Sequence, residues 1–292
     1  MSLFHNEELY WDNKFNENEQ FSQLPINKVR IKDSTVEEDN SLIFMLPSHV
    51  SSQLLKLSQN SEMAILLLLL TGVNSLFYKY INEESIVLGV PILDTHREVF
   101  TFAGEILPLK VETSSEATFR SLLKEVNSSF NESIKNQNLP FLKMIKNLQI
   151  TYSNDQLPIV DTVVAFKGLH SINFKQHIKT NTLFYFFKEN ENIGVELIFS
   201  TQKYTKDFLS RMLEHLAKIL ADTLETPTKL VGEIELLTEG DKKDLLSILN
   251  TNQADYPRSK TIHALFEEQV VRTPNHIAVV CEDQSLTYLE LN

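Results

Sequence analysis

Eight histidines, His5, His49, His96, His170, His177, His215, His263 and His276, are the side chains best suited to proton transfer near neutral pH, and no two are adjacent. The densest polar knot is Asp94, His96 and Arg97 in DTHRE. It follows a β-type run, and its plain reading is a solvated turn rather than an acid–base site. His170 and His177 stand seven residues apart, a loose metal spacing. No third ligand keeps a fixed spacing to them, so a surface loop is expected there. No GxSxG elbow offers a nucleophile, and the seven glycines include no phosphate-cradling loop. Cys281 is the single cysteine, which excludes an internal disulfide framework and a cysteine-based zinc site and suits a reducing compartment. The residues alone therefore assign no catalytic, cofactor-binding or metal-ligating position.

The elements that would have to position any site alternate irregularly. A helix is expected from Asn6 to Glu17, with a polar arm to Asn40, a strand at Leu42–Leu46, and a helix from Ser48 in which Val50, Leu54, Leu55 and Leu57 recur at helical spacing. Met63 to Tyr80 is apolar nearly all round and reads as a central helix. Ile86–Leu93 and Glu105–Glu112 read as strands, but Pro91 and Pro108 argue against fully paired central positions. An amphipathic helix follows from Glu116 to Ile134, a short one over Phe141–Leu148, and strands at Ile159–Phe166, Leu183–Lys188 and Val195–Ser200, the last two a hairpin. A helix over Lys206–Leu224 closes the unit. Beyond it the stretch to Lys260 reads as a linker holding a short helix, Thr238–Leu249, before a helix at Ile262–Arg272 and a strand at Ile277–Cys281. Strands are grouped with helices around them, a mixed α/β layout of the α+β-like sandwich kind.

Of the 292 residues 42% are hydrophobic and 23% charged, ordinary for a packed globular chain. A net charge of -12 with no Lys/Arg cluster speaks against nucleic acid and anionic lipid as partners. The longest greasy run, Met63–Val73, falls short of the roughly 18 apolar residues of a membrane span, and the acidic, polar start lacks a secretion-signal pattern. A cytoplasmic protein is expected.

The end of the chain carries a more specific pattern. Thr261–Asn292 (TIHALFEEQVVRTPNHIAVVCEDQSLTYLELN) resembles the opening of an adenylation domain of nonribosomal peptide synthetases, and Ile234–Pro257 resembles the connector that precedes one. Upstream, IVLGVPIL (Ile86–Leu93), FAGEILPLKVE (Phe102–Glu112), FRSLLKEV (Phe119–Val126) and NQNLPFLKMI (Asn136–Ile145) resemble, in order, the second lobe of a condensation domain.

That resemblance implies a chloramphenicol acetyltransferase-like lobe. In the family two such lobes form a V around a tunnel where carrier-tethered substrates meet, and the chemistry is attributed to an HHxxxDG motif of the first lobe. This sequence has no paired histidines. It also departs within the lobe: Glu105, Ile106, Leu107, Pro108 and Leu109 follow Gly104 where the family has an aromatic-Val-Asn-Thr series. Asn138 and Leu142 replace a common Asp and Glu, while Gln137, Pro140 and Phe141 stay. The resemblance thus implies residues 1–225 as a truncated condensation domain, 226–260 as linker and 261–292 as the start of an adenylation domain that stops before any ATP loop. The expected function is a noncatalytic platform for that domain, with subunit docking; the alternative is half of a condensing enzyme completed by a first lobe in trans or upstream. Expected partners are the adenylation domain in cis, another synthetase subunit, a first lobe or a carrier domain. ATP, magnesium and phosphopantetheine are expected of the parent synthetase and not of these residues.

Overall fold

The computed structural model describes residues 4–15, 22–27, 41–92, 106–150, 157–170, 180–237, 240–243, 246, 260–282 and 284–292. The chain forms two compact units, residues 1–237 and 238–292.

In the first unit, α1 (His5–Lys14), β1 (Ser41–Met45), α2 (Ser48–Ser58), α3 (Glu62–Ile81), β2 (Ser85–Pro91), β3 (Ile106–Glu112), α4 (Phe119–Lys135) and α5 (Phe141–Asn147) precede β4 (Thr162–Phe166), β5 (Thr182–Glu189), β6 (Asn192–Phe199) and α6 (Lys206–Glu225). Six strands make one mixed sheet in the order β1-β6-β5-β4-β2-β3. β4 pairs in parallel with both β5 and β2, and the remaining pairs are antiparallel. β5 and β6 form the expected hairpin, in register from Thr182↔Phe199 to Glu189↔Asn192. Pro108 lies in β3, an edge strand where no ladder donor is needed on the outer side. β2 corrects its expectation: it is an inner strand paired on both flanks, because Pro91 occupies only its last position. β4 is also shorter than Ile159–Phe166. Ile159 has φ 55, a left-handed value that costs a β-branched residue, so Leu157–Val160 leave the ladder and cross the sheet face.

Alternating residues send two apolar sets to opposite faces. Leu88, Val164, Phe184, Phe186, Val195 and Leu197 face a layer of α2, α3, α4 and α6 and form the main core. α3 is its centre and, at 20 residues, is long and apolar enough by length and composition to cross a membrane, yet most of it is buried inside the unit. Its polar side chains donate back along the helix: Thr71 Oγ1 to Leu67 O (2.7 Å), Asn74 Nδ2 to Leu70 O (3.0 Å) and Ser75 Oγ to Thr71 O (2.9 Å), while Asn74 Oδ1 is buried without a hydrogen bond. Gly72 lets α6 approach, since a Cβ there would sit 2.7 Å from Leu220 Cδ2.

On the other face Val87, Val163, Ala165, Leu183 and Tyr185 meet α1, α5 and Leu157–Val160 in a second core. Trp11 anchors α1 there at 2% exposure, its Nε1 donating to Asn136 O at 3.0 Å. The domain boundary expected after residue 225 falls later, because residues 226–237 are built into this unit. Val231 N–H donates to Ala117 O (2.8 Å), Lys79 Nζ to Gly232 O (2.9 Å), and Val231 and Ile234 are buried.

The second unit contains α7 (Ile262–Arg272), a β7 (Ile277–Cys281) and β8 (Gln284–Thr287) hairpin, and α8 (Tyr288–Leu291). Thr287 and Glu290 form a capping box on α8. Of the short helix expected at Thr238–Leu249, residues 240–243 and 246 are helical and the others lie outside the described residues.

Candidate functional site

Parts of the segments singled out by the resemblance meet in the second core, although Phe119–Val126 packs into the main core. β3 supplies Ile106 and Leu107, the turn after α4 supplies Leu139, and α5 supplies Met144 and Ile145, all buried in one cluster with Trp11 of α1 and Phe15, the residue that follows it. They are held by packing and by two ion pairs, Lys14–Glu132 (3.5 Å) and Lys143–Glu8 (2.7 Å). Between Trp11, Ile106, Pro108, Gln137 and Met144 remains a slot of about 10 Å3, room for one water at most. Gln137 Oε1 is buried there with no hydrogen bond.

One group of buried polar residues, Ser22, Asp161, Thr162, Asn181 and Thr182, gathers at the sheet end where β4 and β5 begin. The extended segment Ser22–Asn27 straps across it. Ser22 Oγ accepts from Val87 N–H (2.9 Å), Gln23 Nε2 donates to Asp161 Oδ1 (2.8 Å), and Leu24 O accepts from Tyr204 O–H (3.4 Å). Asn27 closes the strap on the N-cap of α6, with Nδ2 donating to Thr205 Oγ1 (2.8 Å) and Oδ1 accepting from Thr205 N–H (3.0 Å). Asp161 is the hub. At 5% exposure its Oδ1 also accepts from Asn181 Nδ2 and lies 3.8 Å from Lys203 Nζ. Burial pushes its carboxyl above the ordinary range, against the opposing Asn181, Lys203 and Gln23. The same burial, with Asp161 nearby, pushes the Tyr204 hydroxyl up.

The opposite end of β4 carries His170. Its Nδ1 accepts from Phe166 N–H at 3.0 Å. Burial lowers its pKa to about 4, so the ring is neutral at neutral pH. Buried, with Nδ1 tied to the end of β4, it has a structural use. His215 lies in the helical layer, its Nδ1 2.8 Å from Tyr80 Oη. His5, His49, His263 and His276 are exposed on separate elements. Thus none of the described histidines is brought to another. Asp94, His96, Arg97, His177 and Gly104 lie outside the described residues. Among the described residues no group of three or more His, Cys, Asp or Glu could hold a metal ion.

Sequence reasoning missed the Asp161 strap and the burial of His170. The signal for the first was present: one acid inside IVDTVVAF, an otherwise apolar run, has to be buried with partners.

A grouped six-stranded mixed sheet covered by helices, with these signature segments packed into its two cores, defines a lobe of the chloramphenicol acetyltransferase-like type. A family model for the condensation domain matches residues 2–246, and the chain belongs to that family. It is a condensation domain of a nonribosomal peptide synthetase. Over its full length it is 34% identical to one of the mycosubtilin synthase subunits of Bacillus subtilis, of which it spans 11%. It is 26% identical to gramicidin S synthase 2 of Brevibacillus brevis over 99% of its length, spanning 7% of that protein. The chain therefore corresponds to a small part of the multidomain relatives it matches.

Solved structures agree in fold. A four-domain nonribosomal peptide synthetase bound to AMP and glycine superposes with a TM-score of 0.76 at 15% identity, covering 98% of this chain and 24% of that one. The first condensation domain of the calcium-dependent antibiotic synthetase gives a TM-score of 0.63 at 14% identity, covering 82% of this chain and 55% of that one. The X-domain from teicoplanin biosynthesis gives 0.64 at 15% identity, with 81% and 58% covered.

Proposed function

We propose that these residues form the second lobe of a condensation domain that makes no peptide or ester bond by itself and serves as a platform for an adenylation domain opening at Thr261. The observation that carries this reading is the filled second face: Trp11, Leu139 and Met144 leave a slot of about 10 Å3 where signature segments meet, and His170 is spent on backbone. Amine attack on a thioester needs a base within hydrogen-bond reach and room for two acyl groups. The slot on the second face offers no such room, and His170 has its Nδ1 taken by Phe166 N–H, which supports this reading. ATP, magnesium and phosphopantetheine belong, on this reading, to other domains of a parent synthetase, since the seven glycines include no phosphate loop. Other synthetase domains, the adenylation domain in cis first, are the partners.

The test is a condensation assay with donor and acceptor amino acids loaded on carrier domains. The 292-residue chain is expected to give no dipeptide above the carrier-only blank. Dipeptide formation by the purified chain would sink the platform reading.

A second reading is favoured by length. The chain covers 55% and 58% of two solved members of this fold, the share expected of one lobe in a two-lobed domain. On that reading, adding a separately expressed first lobe with its paired histidines restores condensation, and failure of several such lobes to bind or restore it removes the alternative.

A further inference from the structure

The helical layer of the first unit carries a groove remote from the strap and from the second core in its lining. It lies where α2 and the start of α3 meet α4 and the last turn of α6, and has a volume of about 500 Å3. Leu67, Leu68, Phe119, Leu123 and Leu224 form its walls. That size lies within the range of small-molecule sites, roughly 300–1,000 Å3, which are likewise mostly apolar with few polar groups. Two of its lining residues, Arg120 and Lys124, stand one turn apart on α4 and are exposed. Neither takes part in an ion pair among the described residues. Among the described residues no acidic side chain lines the groove, although the whole chain carries a net charge of -12.

Two cations without a carboxylate partner beside an apolar trough are complementary to an amphiphile with an anionic head. The size separates a hydrocarbon tail from a docked helix. An α-helix about 10 Å across displaces on the order of 800 Å3 in two turns, so only part of one could enter, whereas an unbranched acyl chain fits whole. We propose that this groove binds the monomer of a long-chain fatty carboxylate, with its hydrocarbon against Leu67, Phe119 and Leu224 and its carboxylate between Arg120 and Lys124. The site is independent of the platform reading: Phe119, Arg120, Leu123 and Lys124 belong to the signature segment Phe119–Val126, which packs on the main core, and none of the lining lies in the second core.

Calorimetric titration of the full chain with dodecanoate, kept below its micelle concentration, tests this. Saturable one-to-one binding is expected, with dodecanol at least about tenfold weaker because the head pairs with charge. R120E/K124E, both at exposed positions, is expected to weaken dodecanoate by about tenfold or more with an unchanged circular dichroism spectrum. Leu67→Trp fills the trough and is expected to abolish binding; if it fails to fold, Leu123→Trp takes its place. Absence of saturation, undiminished binding in the filled variant, or equal affinity for dodecanol would each overturn the proposal. So would binding to anionic vesicles without binding of the monomer, or saturation by an acidic amphipathic helical peptide in place of dodecanoate.

Discussion

Single residues of this lobe are constrained by space and by buried charge. Gly89 lies under Val160, where a Cβ would come 2.6 Å from Val160 Cγ1 and 2.8 Å from Ile106 Cγ2. Gly89→Ala is therefore expected to cost about 1–3 kcal/mol by overpacking, read as a lower urea midpoint with unchanged slope. His170 and Asp161 give pH dependences of opposite sign. The folded pKa of His170, about 4, lies below its ordinary value, so the unfolded chain binds the proton first as pH falls. Its contribution, on the order of 3 kcal/mol, is present at neutral pH and lost as pH falls from about 6.5 to about 4. His170→Gln is expected to flatten that part of the stability profile. Asp161 has its folded pKa raised, so the native state holds the proton longer. Its contribution is full below its unfolded pKa and is lost as pH rises through the folded one. Asp161→Asn cannot ionise. Its urea stability relative to the parent is expected to improve as pH rises above about 4, and a constant difference across that window would refute the assignment.

At the scale of the elements, α1 packs on the second core through a single buried helical residue. Its residues alternate little between polar and apolar faces, and Trp11 is its one buried residue. Truncating Trp11 to Ala is expected to cost about 3–5 kcal/mol, whereas Trp11→Phe keeps most of the packing and loses the 3.0 Å bond to Asn136 O, a cost of about 1 kcal/mol. Trp11 is also the only tryptophan of the chain, so its emission reports α1 directly. Blue-shifted emission is expected in the native protein, with a red shift on unfolding. If α1 separates before the rest, that red shift precedes loss of far-UV dichroism in urea; coincident transitions would show that it unfolds with the sheet.

At the scale of the whole molecule the two units differ in completeness. Residues 1–237 hold both cores, whereas among the described residues of the second unit Val270 is the one buried large apolar side chain. Ile262 and Val271 are 86% and 85% exposed, and Ile277, Val280 and Leu289 are each at least 60% exposed. Apolar surface this exposed on a short unit is expected to associate with other apolar surface. A chain ending at Leu237 is expected to retain a cooperative urea transition and to self-associate less than the full chain in sedimentation. Loss of cooperativity would place part of the first core in residues 238–292.

Much of this architecture was legible because periodicity and proline are local signals. The β5–β6 hairpin, the amphipathic α4 and α6, the apolar α3 and the edge position of Pro108 follow from side-chain spacing and a missing donor, which no distant contact alters. The ordered signature segments likewise pointed to the family on sequence alone, and the absence of paired histidines needs no coordinates. Tertiary structure alone decided which residues became partners. Ile159 reads as a strand residue until packing of Leu157–Val160 over Gly89 forces it left-handed. Residues 226–237 read as linker until Val231 and Ile234 find the main core. His170 reads as a surface histidine until the end of β4 buries its ring. In each case the deciding free energy comes from burial against residues far away in sequence, and a local pattern carries no record of those neighbours.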